Sequence, residues 1–565
     1  MGARFVLCSL IAVALTATAA DRPEGRWPAT RSVTVARQGM VAAAHPLAVL
    51  VGLDILRRGG SAVDAAIAVN AALTFLEPVA CGLGGDLFAI VWDPASGRLH
   101  GLNAAGAAPR ALTPERIPAE PDGTIPLRSP YAWTVPGCVD GWHTLHGRFG
   151  RLPWSEVLKP AADLARQGAP VPQVIAGAWA RAPRIFGDKP GFSQVFLPGG
   201  KAPAEGEIFA NPALAHTIDM LAREGRNAFY EGEIARSIVR FSREVGGFFD
   251  LEDLAGHSSE WVEPVATTYR DVTVHELPPP GQGVAALQIL NILENFDLRS
   301  LGRENPDFWH LLVEAKKLAF EDRARLYADP AMVAVPVEEL LSKERALRQA
   351  ARIELRRAAM VITPDDSRLS RGDTTYLAVA DSQGMMVSLI QSNYTGFGSG
   401  YTIAELGFGI HNRGSQFSLR PDHPNVLAPA KRPFHTIIPA FLSRHGVPLM
   451  VFGVMGGDMQ PQGHAQVVVN LVDLGMNVQE AGDAARFYHS GSSTPTGLVM
   501  EDGGLLHLES GVSTQVRQEL LRRGHRLVEA TGTAFGGYQA VWRDPHTGVY
   551  HGATEARKDG LALGY

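Results

Sequence analysis

A side-chain hydroxyl is a weak nucleophile until a base takes its proton. In this sequence the place where that could happen is Thr374, first of the pair Thr374-Thr375, where a polar loop meets a strand-like run. The commoner arrangements are missing: there is no GxSxG elbow, no HExxH, no GxxxxGK[ST] and no Asp-rich calcium loop. His275-Glu276 runs into a leucine and three prolines, so it cannot form a helical zinc site. The GLGG at 82–85 is a weak phosphate signal on its own, and a tight structural turn accounts for it better. What is left is a hydroxyl that could carry its own base. A free α-amino group has a pKa of about 7.7–8.0, so near neutral pH it can accept a proton. A terminal threonine would hold such an amine a few bonds from its hydroxyl, which requires cleavage between Asp373 and Thr374. Two threonines ahead of a strand are also what β-propensity alone would place there, and the residue types leave both readings open.

The elements that would position Thr374 follow from local pattern. Residues 360–373 (MVITPDDSRLSRGD) are polar, without helical or strand period, and read as an exposed loop. Two β-rich runs follow, 375–381 (TYLAVAD) and 385–392 (MMVSLIQS), around a Gly-containing turn, which reads as a hairpin. Upstream, an apolar-periodic helix over 47–58 stops at Gly59-Gly60. A second helix starts with Ser61 as N-cap and Asp64 three positions on, a capping-box pattern. The Gly-rich turn 77–86 (EPVACGLGGD) leads into a strand at 87–92. Two further helices are expected over 283–295 and 307–326, the first entered through Pro278-Pro279-Pro280. The Arg-containing run 352–357 (RIELRR) is read as the wet side of a helix.

Bulk properties narrow the class. At 565 residues and 45% hydrophobic composition the chain can bury a large core. A formal charge of −6 argues against a nucleic-acid partner. The first twenty residues, with Arg4, an apolar run over 5–15 and small residues at 17–20, read as a secretion signal. That run is too short to span a bilayer and no later stretch reaches 18 apolar residues, so a periplasmic or secreted protein without stable membrane insertion is expected. Cys8 falls within the leader. Cys81 and Cys138 could form one disulfide in an oxidising compartment, or be two small buried side chains.

Several blocks together resemble the γ-glutamyltransferase family. These are 372–381 (GDTTYLAVAD), 396–400 (GFGSG), 453–458 (GVMGGD), 278–296 (PPPGQGVAALQILNILENF), 40–86, 314–330 and the terminal 559–565 (DGLALGY), in the family's order over nearly the whole mature chain. The resemblance implies an α+β fold, a four-layer αββα N-terminal-nucleophile sandwich. It implies one precursor cut into a large subunit (21–373) and a small one beginning at Thr374 (374–565), acting on a small-molecule amide without metal or cofactor. Carried over by position, Thr374 matches the nucleophile and new N-terminus, and Thr375 the supporting threonine. Ser392 matches a hydroxyl that hydrogen-bonds the nucleophile. Gly456 and Gly457 match the glycine pair whose N–H groups form the oxyanion hole.

The acyl-binding positions depart from the family pattern. Where the resemblance expects an arginine for the glutamyl α-carboxylate, the stretch 103–109 (NAAGAAP) has Ala105. Arg413 and Gln416 stand where an acidic residue and a glutamine meet the α-ammonium group. His435-Thr436 replaces a tandem serine pair, and Tyr394 an asparagine. These changes suggest an acyl group without a free amino-acid head, with Arg413 receiving a carboxylate from a new direction, as in divergent members that resemble cephalosporin acylases and oxamate amidohydrolases. The short stretch between Ser418 and Lys431 suggests that the lid loop of many members is absent, leaving an open site. The alternatives are the family's default, γ-glutamyl hydrolysis or transfer on glutathione-like donors, and a non-catalytic binding protein that never cuts itself.

Overall fold

The computed structural model describes residues 27–362, 373–530 and 532–565. The leader at 1–20 and most of the 360–373 loop (363–372) lie outside the described residues.

Among the described residues two seven-stranded sheets face each other. The first runs Leu561–Gly564, Met40–Ala43, Asp373–Ala380, Met386–Tyr394, Asp86–Asp93, Arg98–Ala104, Glu260–Val262. The second runs Thr34–Ala36, Tyr550–Thr554, Gly537–Arg543, Val447–Met455, Ala440–Arg444, Val272–Glu276, Val265–Tyr269. Period-2 alternation explains how they stack. In the Asp373–Ala380 strand, Tyr376 and Ala378 point between the sheets, beside Phe88, Ile390, Phe441 and Val451. Leu377 and Val379 point the other way, into a core shared with the helices Pro46–Arg57, Ala62–Leu76 and Cys138–Phe149. Helices Gly283–Leu293, Pro306–Leu326 and Met459–Val472 cover the outer face of the second sheet. The order of layers is α, β, β, α, as the family resemblance implied.

The expected hairpin is present, with Tyr376 opposite Ile390 and Leu377 opposite Leu389. The capping box of the Ala62–Leu76 helix is complete: Ser61 Oγ accepts from the Asp64 N–H at 3.0 Å, and Asp64 Oδ2 from the Ser61 N–H at 2.9 Å. Both long helices fall where expected, at Gly283–Leu293 and Pro306–Leu326. The 352–357 run is corrected. The helix before it ends at Ala350, and the arginines lie in turns, where wet charges need no helical partner. Cys81 and Cys138 are both free and buried, so the pairing is not made. No helix among the described residues is long and apolar enough to cross a membrane.

Candidate active site

The chain is continuous through Asp373 and Thr374, the first two residues of the Asp373–Ala380 strand. Alternation along that strand decides what the two threonines meet. Thr374 turns toward the facing sheet, and its Oγ lies 3.1 Å from Ser392 Oγ on the neighbouring strand. Thr375 turns toward the helix layer, where its hydroxyl donates to Glu77 at 2.7 Å. Ser392 Oγ also accepts the Tyr394 N–H at 2.8 Å. Both threonines are fully buried, in contrast to the open site expected from the short 418–431 stretch. That stretch is closed on itself by backbone bonds from Ser418 N–H to Asn425 and from Leu427 N–H to Ser418. With the chain uncut, the strand and the facing sheet cover the hydroxyl.

Gly456 and Gly457 form the turn between the Val447–Met455 strand and the Met459–Val472 helix. Their φ angles are +122° and +60°, which L side chains rarely adopt. The Gly456 carbonyl accepts the Met459 N–H and the Gly457 carbonyl the Gln460 N–H, each at 3.1 Å. Gln460 ties the turn to the threonine: its Nε2 lies 3.5 Å from Thr374 Oγ, while its Oε1 accepts the Ile438 N–H at 2.9 Å. A hydroxyl, a hydroxyl partner and a glycine turn are thereby brought together.

The substitutions on the acyl side cluster around a residue that pattern reading did not single out. Asp86 ends the Gly-rich turn and is fully buried. Arg413 donates to it through Nε at 2.8 Å and Nη2 at 3.4 Å, and through Nη1 to Thr436 Oγ at 2.7 Å. The guanidinium also stacks on the Tyr394 ring, 4.6 Å from its centroid. Arg413 is therefore not a solvated charge. Its charge is met from within the chain. His411 Nδ1 and His435 Nδ1 each lie 3.5 Å from Asp86 Oδ2. Burial pushes the Asp86 carboxyl up, but Arg413, His435 and His411 outweigh it and hold the group well below the carboxylate range. Burial lowers the His435 imidazole well below its ordinary value despite Asp86, and neither ring nitrogen makes a hydrogen bond. Gln416 donates to the Tyr394 hydroxyl at 2.6 Å. Tyr394 itself has φ +73°, strained for a non-glycine residue. Ala105 sits where an arginine was expected. The arginine beside it, Arg432, donates to its carbonyl at 3.1 Å and holds Glu260 bidentately.

A cavity of about 410 Å³ lies next to this cluster, lined by Glu120, Asp122, Arg323, Gln416, Asp458 and Thr494 among others. The GLGG turn is filled by the chain itself: a Cβ on Gly84 would stand 2.1 Å from the Gly409 carbonyl, and one on Gly85 2.6 Å from that of Ser392. It is a structural turn that lets the loop reach the Ser392 strand. His275 and Glu276 alternate along a strand rather than a helix. His310, Glu314 and His525 come close enough to hold a metal ion, but His310 Nδ1 bonds His525 Nε2 at 2.8 Å and Glu314 accepts from Lys317 at 2.8 Å. These groups already satisfy one another.

Asp86, Glu77 and Gln460 were missed because each meets its partner only through the fold. Two signals were available: Asp86 closes the quoted Gly-rich turn, and Gln460 follows GGD by two residues.

The family model Gamma-glutamyltranspeptidase matches residues 48–565. The chain is 36% identical over 528 residues to the Glutathione hydrolase-like YwrD proenzyme of Bacillus subtilis, covering 93% of this chain and 98% of that protein. It is 35% identical over 548 residues to the Oxamate amidohydrolase proenzyme of Klebsiella pneumoniae, covering 94% and 100%. Among solved structures it is similar to cephalosporin acylase from Bacillus halodurans, with a TM-score of 0.88, 41% identity, and 96% and 99% of the two chains covered.

Proposed function

Because the chain belongs to the gamma-glutamyltranspeptidase family of N-terminal-nucleophile hydrolases, we propose that it cuts itself between Asp373 and Thr374 and then hydrolyses or transfers an acyl group through an ester on Thr374. The cut yields a large subunit, 21–373, and a small one, 374–565, after export directed by residues 1–20. The Thr374 hydroxyl attacks an amide carbonyl. The freed α-amine takes the hydroxyl proton and returns it to the departing amine. Ser392 orients the hydroxyl, and the N–H groups of Gly456 and Gly457 receive the oxyanion, a contribution of about 2.7–4 kcal/mol per donor. Water or a second amine then takes the acyl group. In the precursor the same hydroxyl attacks the Asp373 carbonyl, the Asp373–Thr374 amide nitrogen leaves and takes up a proton to become the α-amine, and water hydrolyses the resulting ester.

The observation that carries this reading is the 3.1 Å approach of Thr374 Oγ to Ser392 Oγ beside Gln460 and the glycine turn. The test is mass spectrometry and N-terminal sequencing of purified protein. A fragment starting at Thr374 is expected, and none in Thr374→Ala. Turnover by a protein whose 373–374 bond is intact would refute the reading.

For the acyl group, the Asp86–Arg413 pair favours a second, narrower proposal. With Ala105 in place of an arginine, and Arg413 and Arg432 both paired to carboxylates of the chain, the pocket has little to offer an amino-acid head. An acyl group without a free α-amino acid, such as glutaryl or an oxamate-like acid, fits better than γ-glutamyl. The similarity to proteins named acylase and oxamate amidohydrolase agrees. Robust turnover of a γ-glutamyl anilide with none of a glutaryl anilide would reverse this assignment.

A further inference from the structure

The glycine turn poses a mechanical problem. Gly456 and Gly457 have positive φ and no side chain to anchor them. Within the turn the Gly457 carbonyl accepts the Gln460 N–H at 3.1 Å. A second contact, from outside the turn, adds to its hold.

Gln282 holds it. This residue precedes the Gly283–Leu293 helix, is fully buried, and points its amide at two main-chain carbonyls. Its Nε2 donates to Gly457 at 2.9 Å and to Thr436 at 2.6 Å. Which end of the amide faces them is fixed by Arg323, whose Nη1 donates to Gln282 Oε1 at 2.6 Å and to Asp458 Oδ1 at 2.7 Å. A guanidinium has only donors, so the oxygen must face it and the NH2 must face the carbonyls. Arg323 is also buried, packed over Phe320 at 3.7 Å. One glutamine amide uses both its protons on the glycine turn and on the segment that carries His435-Thr436.

We propose that Gln282, oriented by Arg323, is a positioning residue for the reaction: by holding the Gly457 carbonyl it fixes the Gly456-Gly457 turn and couples that turn to the His435-Thr436 segment. The assignment rests on the Thr374 acyl-enzyme reading. It also spans the proposed cut, since Gln282 and Arg323 belong to residues 21–373 while Gly457, Asp458 and Thr436 belong to 374–565. The two subunits would then share one oxyanion site, with the donors on one and the clamp on the other.

The test compares wild type, Gln282→Met, Arg323→Lys and Thr374→Ala, using the p-nitroanilide (glutaryl or γ-glutamyl) that the wild type turns over. Precursor cleavage, kcat per titrated active site, KM and Tm are read for each. Removal of one oxyanion donor costs about 10²–10³ in kcat, and loosening a turn that keeps its donors should cost roughly 10–100-fold. Q282M is expected to lose that much in kcat, and in the rate of precursor cleavage, with KM changed less than about threefold. A merely structural role would lower Tm or the titre of active sites and leave kcat per site intact. R323K keeps a cation near Asp458, but its Nζ ends one bond short of the Nη1 that reaches both partners, so about a fivefold or greater loss in kcat is expected. If Q282M does not accumulate as folded protein, R323K decides. Wild-type kcat and cleavage rate in the deciding variant overturn the proposal. If Thr374→Ala turns over like wild type, the underlying reaction reading fails. If Thr374→Ala is inactive while Q282M matches wild type, only the clamp fails.

Discussion

Arg413→Met separates the two roles an arginine could have in this pocket. If Arg413 serves a substrate carboxylate, its loss raises KM and leaves the fold intact. If it serves Asp86, the loss strands a buried carboxylate. Two charges about 3.5 Å apart interact by roughly 4–5 kcal/mol at an effective dielectric of 20, and breaking a buried pair costs about 3–5 kcal/mol. The observed contacts, 2.8 and 3.4 Å with both residues fully buried, place this pair in that class. Measured in a Thr374→Ala background, so that one unbroken chain is compared, the loss reads as a melting-point shift. At about 2.1 cal/mol/K per residue over 565 residues, the unfolding entropy is roughly 1.2 kcal/mol/K, so R413M should melt about 3–4 °C lower at pH 8. The deficit should shrink with acid, because Asp86 can then take a proton. Without Arg413, burial raises the Asp86 carboxyl well above its ordinary 3.8. Such a group binds its proton in the folded state first, so its penalty falls as pH drops toward 3.8, to about 1.6 kcal/mol at pH 5. Asp86→Asn with R413M should recover most of the loss, since no charge is left buried. An R413M melting point equal to the parent at pH 8, or an equal deficit at pH 8 and pH 5, would refute the argument.

Ser392→Ala removes the contact to Thr374 Oγ and the hydroxyl that accepts the Tyr394 N–H, so kcat and precursor cleavage should both fall about 5–30-fold, with Ser392→Thr restoring most of each. Gly456→Ala forces a Cβ onto a residue at φ +122°, 3.2 Å from the Gly536 Cα, and kcat should drop by about 10²–10³ in steady-state assays. His45 caps the Pro46–Arg57 helix through a ring nitrogen, and burial lowers its pKa to about 4 from 6.5. The unfolded chain therefore binds a proton between pH 6.5 and 4 that the folded chain refuses, and stability falls with acid over that window by roughly 3 kcal/mol from this residue. His45→Asn keeps a capping acceptor without the titration, so its melting temperature should fall less between pH 7 and pH 4 than that of wild type; identical slopes would count against this account.

Local pattern in the sequence determined a good deal about this protein. The capping box at Ser61 and Asp64, the hairpin around residues 382–384, and the loop-to-strand junction at Thr374 are decided by neighbours within a few positions, where periodicity and turn chemistry act. Family blocks supplied the four-layer fold and the roles proposed for Thr374, Ser392 and the glycine pair. The charge state of the acyl pocket was outside the reach of pattern. Arg413 is 327 positions from Asp86, and the two meet where residues 410–413 run beside the Gly-rich turn, with the His411 N–H on the Gly84 carbonyl at 3.0 Å. Gln282, Arg323 and Gly457 likewise meet across helix layer and turn. A long-range polar contact leaves no periodic trace along the chain, because burial requires only that a charge find a partner, not that the partner be near in sequence. The tertiary structure decided that Arg413 lies against a buried carboxylate of its own chain.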